Sequence, residues 1–258
     1  MQQFVVQTPP LSHKAVFTAD APAPAVLHIT CSSGGNTYMR RDLRLQAGQH
    51  DFTVPLSYLP TKYHISIERK EGLPVLLRSY DVQPVLFESN KPISEQDKKF
   101  IGFALWMAEN MPKLGYKTYQ DGNGNCIHYM PKVRDLHTGQ IIETPARVDR
   151  STGEIFVSAD DLLPATVPMR IFVLLHEYVH YRNQTTNEFE CDREAANLYR
   201  AQGWPKIEAL YALTKFFSKP MADSRFSEIM SLPLAGIEGT TEQERRVIEL
   251  KNHIERNL

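Results

Sequence analysis

Two patterns along the chain predict an α+β fold. Short alternating runs fill the first third, and apolar stripes at helical spacing take over after about residue 90. The runs AVLHIT, RDLRLQ, HDFTVPL and YHISIER are separated by turn signals such as Ser33-Gly34-Gly35-Asn36 and Ala47-Gly48. That spacing predicts a small antiparallel β-sandwich over residues 1–88. His13, His28, His50 and His64 are scattered through it and read as strand surface or packing residues. The change of character sets two further boundaries, a mixed α+β domain over 89–222 and a C-terminal extension over 223–258.

In the second region Ser94 followed by Asp97 predicts a helix start, and Phe100, Phe103, Ala104, Met107, Ala108 and Met111 form its core stripe. NCIHYM reads as a strand, and ARVDRSTGEIFVSAD as a hairpin turned at Ser151-Thr152-Gly153. Pro168 opens PMRIFVLLHEYVHYR, apolar almost all round at its start and therefore a buried helix. EFECDREAANLYRA and KIEALYALTKFF read as helices broken apart by Gly203-Trp204-Pro205. A charged helix starts near Thr241, where Thr241 and Glu244 make a capping box. Its stripe of Val247, Leu250, Ile254 and Leu258 must be buried, against its own domain or against another chain.

Composition removes several function classes. Lys plus Arg number 29 against 30 Asp plus Glu, so no general attraction to nucleic acid is expected. Apolar runs such as Ile171 to Leu175 are far shorter than the roughly 20 residues of a membrane span. No basic segment leads into an apolar core at the N-terminus, so a secretory signal is not expected, and a cytoplasmic or assembly-associated location is. Cys31, Cys126 and Cys191 are odd in number and widely spaced, which predicts reduced thiols rather than a disulfide framework.

The chemistry is concentrated in His176-Glu177-Tyr178-Val179-His180. Residues four apart share a helix face, so both imidazoles can meet one ion. Glu177 projects beside that face, where it can take a proton from water without being a ligand. Two imidazoles plus an oxygen donor suit zinc, and a catalytic site needs a third protein ligand with one position left open. Three carboxylates follow: Glu188, Glu190 and Glu194. Glu188 and Asp192 stand one helical turn apart, which lets Asp192 orient a ligating histidine through its outer N–H. Asn187 with Glu190 also reads as a capping pair, and Glu194 as a solvent-facing partner of a basic neighbour. Ala195, Ala196 and Tyr199 continue the Glu188 face with room for close helix packing.

HEYVH with the downstream EFECDREAANLYRAQGWP resembles the gluzincin metallopeptidases, the thermolysin-like group, over about residues 140–215. The resemblance implies a zincin-like catalytic domain with Zn2+ held by His176, His180 and Glu188, and with Glu177 as general base. It implies a zinc-dependent endopeptidase acting on a peptide or protein substrate, and proteins of this small type look like those encoded by bacteria and their phages. The expected substrate edge is the strand Glu154 to Ser158, along which a peptide adds as a further strand. His128, Tyr129 and Arg147 are candidate donors to a tetrahedral oxyanion. The rival reading is a structural or assembly protein, of a phage virion or injection system, that retains such a domain. In that reading the sandwich and terminal helix dock on a partner or on a second copy. Asp121-Gly122-Asn123-Gly124-Asn125 opens like a calcium loop, but Cys126 and Lys132 stand where Gly and Glu are required, so it reads as a turn.

Overall fold

Seven strands account for the N-terminal third in the computed structural model, which describes residues 1–9, 12–57, 59–85, 93–135, 138–217 and 241–256. They are β1 (Gln2–Gln7), β2 (His13–Ala21), β3 (Ala25–Ser33), β4 (Asn36–Leu45), β5 (Gly48–Leu56), β6 (Lys62–Glu71) and β7 (Leu76–Pro84). One sheet runs β1-β6-β3-β4 and the other β5-β2-β7, with antiparallel pairing throughout. Strict alternation along the interior strands β2 and β3 gives each sheet a dry face. Ala15, Phe17, Ala19 and Ala21 of β2 are buried, as are Ala25, Leu27, Ile29 and Cys31 of β3. Phe4 of the first sheet meets Phe17 and Tyr80 of the second edge-to-face at 5.1 and 5.0 Å, so the two dry faces pack as a sandwich. Gly34 and Gly35 take φ of 55° and 83° in the two-residue β3–β4 turn, a left-handed pair that only glycine adopts without strain.

The chain divides into two compact units, residues 1–87 with 202–205, and 88–201 with 206–258. The terminal helix, set apart above as an extension, belongs to the second of these. The fold is thus α+β, with antiparallel sheets in the N-terminal part and helices in the C-terminal half.

The second unit opens with α1 (Glu95–Asn110), capped by Ser94, whose hydroxyl accepts from the Asp97 N–H at 3.0 Å. The expected stripe of Phe100, Phe103, Ala104, Met107, Ala108 and Met111 is buried. Four short strands follow: β8 (Thr118–Gln120), β9 (Cys126–Met130), β10 (Ala146–Val148) and β11 (Ile155–Ser158). Their order is β10-β11-β9-β8, with β9 and β11 parallel and the outer pairs antiparallel. The strand at Ile155–Ser158 is therefore interior, and among the described residues β10 stands at that end of the sheet. That corrects the expected substrate edge.

Helices α2 (Ala159–Leu162), α3 (Val167–Arg182), α4 (Glu188–Ala201), α5 (Lys206–Ala212) and α6 (Glu242–Arg256) complete the unit. Every residue of α3 from Val167 to His180 is buried, as a helix apolar on all sides requires. Arg170 is buried within it, and its guanidinium donates to the carbonyls of Leu162, Ala108 and Leu163 at 3.0, 2.8 and 2.7 Å. The expected single helix KIEALYALTKFF instead changes at Leu213–Phe217 to a π-helical turn. The Asp121 loop is a turn: its carboxylate accepts the backbone and side-chain N–H groups of Asn123 and Asn125. No helix among the described residues is long and apolar enough to cross a membrane.

Candidate metal centre

His176 and His180 occupy successive turns near the C-terminal end of α3, 1% and 8% exposed. Five residues then return the chain to α4. Gln184 takes φ of 50°, and the Thr185 N–H donates back to His180 O at 3.2 Å. Asn187 accepts the Glu190 N–H at 3.2 Å, which fixes the start of α4 and puts Glu188 in its first turn. Ala195 and Ala196 are fully buried, and Phe172 of α3 meets Tyr199 of α4 edge-on at 5.8 Å. Small residues here let α3 and α4 approach, as their spacing implied.

The result is a convergence of three side chains. His176 Nε2 and His180 Nε2 lie 3.1 Å apart, and the Glu188 carboxylate stands 3.2 and 3.4 Å from them. The other ring nitrogens each face an oxygen. His180 Nδ1 donates to Thr185 O at 2.9 Å, and His176 Nδ1 lies 2.9 Å from Asp192 Oδ1. With protons held on both Nδ1 atoms, each Nε2 of a neutral ring is a lone pair. Two lone pairs and a carboxylate facing one point form a cation's environment. Donors about 2.0–2.2 Å from one tetrahedral zinc stand about 3.3–3.6 Å apart, close to the distances found. Two imidazoles and a carboxylate are a donor set that would suit a cation of the zinc class.

The carboxylates around the pair favour positive charge at that point, whether from a proton on a ring or from a cation. Burial opposes charging His176, but Asp192 and Glu188 overcome it and raise its pKa to about 9. Burial likewise opposes ionisation of Glu188, yet the two imidazoles and Arg246 hold it well below the carboxylate range. Asp192, 2% exposed, is lowered against its burial by Arg246 and His176. Glu177 is raised, chiefly by burial, and its Oε2 accepts the Val148 N–H at 2.9 Å. A carboxylate that accepts its nearest backbone proton while resisting ionisation is suited to exchange protons.

The other carboxylates on α4 are occupied elsewhere. Glu190 accepts from Asn183 Nδ2 and Thr185 Oγ1 at 3.0 and 3.2 Å, tying the link to the helix. It does not return to the Asn187 N–H, which donates to Thr185 Oγ1, so the capping pair runs one way only. Glu194 accepts from Arg182 at 3.2 Å, the basic neighbour anticipated for it. Glu190→Ala is expected to keep the metal while losing about 1 kcal/mol of stability, read by metal analysis and thermal melting.

Arg246 is the residue the sequence did not single out. It reaches in from α6 and grips Asp192 bidentately, Nε to Oδ2 at 2.7 Å and Nη2 to Oδ1 at 2.8 Å, and its Nη2 stands 3.1 Å from Glu188. Its spacing of four from Leu250, itself four from Ile254, was the available signal. The three candidate oxyanion donors do not join the cluster. Tyr129 donates to Met111 O at 3.3 Å, Arg147 lies 3.4 Å from Asp135, and His128 bonds Thr118 at 2.8 Å.

Asp192→Ala is expected to weaken metal affinity by about 10- to 100-fold, since it removes the group that orients His176. Isothermal titration with zinc measures this, and an unchanged affinity would mean that Asp192 serves only to pair Arg246. No family model matches the chain, and no curated protein matches it.

Proposed function

We propose that the chain is a zinc-dependent endopeptidase. The observation that carries the reading is the meeting of His176, His180 and Glu188 at one point, with Glu177 held beside them by Val148. Zinc bound there supplies a Lewis acid that acidifies water and polarises a carbonyl. Glu177 accepts the proton of the attacking water and returns it to the departing amine. Asp192 holds His176 in the tautomer whose Nε2 is a donor to metal, and Thr185 O does the same for His180.

Substrate binding follows from the edge strand. Within the β10–β11 hairpin the Asp149 N–H donates to Glu154 O, and the Ser158 N–H to Pro145 O. The backbone polar groups of residues 146 and 148 therefore point away from β11, and the Val148 N–H does reach Glu177. An extended peptide that adds along β10 lays its backbone beside the general base. Gly153 lets the hairpin turn abut α3: its φ is 81°, and a Cβ there would lie 2.7 Å from the Tyr181 ring.

The test compares wild type with Glu177→Gln in zinc content and in cleavage of a quenched peptide library. Glu177→Gln is expected to keep its zinc and to lose about 10²- to 10⁴-fold in turnover. Zinc in both proteins with cleavage by neither would favour the rival reading, an assembly protein that retains the domain.

A further inference from the structure

A second set of metal donors lies on the sheet, outside the histidine pair of α3. Cys126 and His128 are two apart on β9 and so share one face, while Ile127 and Tyr129 fill the core on the other. In the parallel β9–β11 pairing Ile155 stands beside Ile127 and Phe156 beside His128. One step back in that register sets Glu154 beside Cys126. Cys126 Sγ lies 3.7 Å from His128 Nε2, and Glu154 Oε2 lies 3.4 Å from the same nitrogen. Sulfur, nitrogen and oxygen all fall within 4.8 Å of one another.

We propose that Cys126, His128 and Glu154 form a second metal site, taking a divalent ion of the zinc class through one thiolate, one imidazole and one carboxylate. Mixed sulfur, nitrogen and oxygen donors select borderline metals over calcium or magnesium. Around a tetrahedral zinc, sulfur at about 2.3 Å and nitrogen at about 2.05 Å stand about 3.6 Å apart. Nitrogen and oxygen stand about 3.3–3.5 Å apart in the same geometry. Both separations agree with the structure. Glu154, with 39% of its side chain exposed, is the ligand able to adjust its rotamer and draw its oxygen toward the sulfur.

The surroundings support an imidazole already aimed at an ion. His128 Nδ1 lies 2.8 Å from Thr118 Oγ1, and the ring stacks on Phe156 at 4.4 Å with an 11° tilt. That leaves Nε2 toward Cys126 and Glu154. Gln120 Nε2 stands 3.7 Å from Cys126 Sγ and can donate to a thiolate.

A cysteine nucleophile with a His–Glu relay is the alternative reading, and the geometry disfavours it. A relay needs the thiol on one ring nitrogen and the carboxylate on the other. Here both approach Nε2, and Nδ1 is on a threonine.

Ion binding would tie β9 to Glu154, just before β11, and so fix the hairpin that presents Val148 to Glu177. The site does not depend on the endopeptidase reading, and its test is made so that the two fail separately. The full-length His180→Ala chain is loaded with Co2+ or Zn2+, freed of excess metal and analysed. About one metal per chain is expected to remain, with a thiolate-to-cobalt charge-transfer absorption in the cobalt form. Adding Cys126→Ser, or separately His128→Ala, should remove that metal and, for the serine change, the absorption. In the wild type, Zn2+ should slow alkylation of Cys126 and a chelator should restore it, which needs no variant to fold. Alkylation of Cys126 at equal rates with and without Zn2+ overturns the proposal. So does a folded His180→Ala chain that retains no metal, or an absorption that survives Cys126→Ser.

Discussion

In a Cys126→Ser background, replacing His180 by alanine is expected to leave the chain without bound zinc and without peptide cleavage. The parent Cys126→Ser protein should keep about one zinc. The size of the effect follows from coordination. Removing His180 leaves one imidazole and one carboxylate, too few donors for a closed tetrahedral face. It also leaves Thr185 O without the Nδ1–H it now accepts, so the link between α3 and α4 loosens. Glu188 sits just past that link. Elemental analysis after gel filtration reads the metal, and the quenched peptide library reads the activity. Zinc retained at the parent level would remove His180 from the ligand set and with it the basis of the proposed chemistry. Loss of zinc with cleavage intact would instead detach the metal from the activity.

The parts of this site that were legible in the sequence are those set by local periodicity. His176 and His180 are four apart on one helix, and Glu188 and Asp192 repeat that spacing on the next. The five-residue link then leaves the two faces little choice of register. Thr241 and Glu244 were equally legible, and each backbone N–H does meet the other's side chain, at 2.9 and 3.2 Å. Strand order was not legible, because it depends on pairing between distant segments. Ile155–Ser158 reads as an edge only until β9, from much earlier in the chain, is found beside it. Cys126 and His128 share a face by simple alternation, but Glu154 joins them through that same parallel register. Arg246 lies 54 residues from Asp192, and no local pattern pairs an arginine on one helix with one particular buried carboxylate on another.

Removal of α6 by truncation before Thr241 is expected to lower the melting temperature severely and to weaken zinc binding together with it. Val247, Leu250 and Ile254 are 1%, 1% and 4% exposed, so the stripe is already covered within the second unit. Leu258 lies outside the described residues. Burial of each of these three side chains is worth about 1.5–3 kcal/mol. Arg246 adds an electrostatic part: leaving Asp192 buried without its cation costs about 3–5 kcal/mol. Together these approach the whole stability of an ordinary domain, about 5–15 kcal/mol. Since the truncated chain is expected to unfold at moderate temperature, Arg246→Met separates the two contributions. Methionine keeps an apolar stem against α4 and removes the grip on Asp192 and Glu188. It should melt closer to wild type yet bind zinc about 10- to 100-fold more weakly, because Asp192 no longer holds His176 in place. His253, which pairs with Asn197 at 2.9 Å farther along α6, offers a control. His253→Ala should shift stability slightly and leave zinc affinity alone. The assembly reading predicts a different pattern, in which truncation abolishes self-association or partner capture while melting and zinc affinity stay as they were. A truncated chain with that behaviour would make α6 a docking arm. Coupled loss of stability and metal would make it part of the metal centre's support.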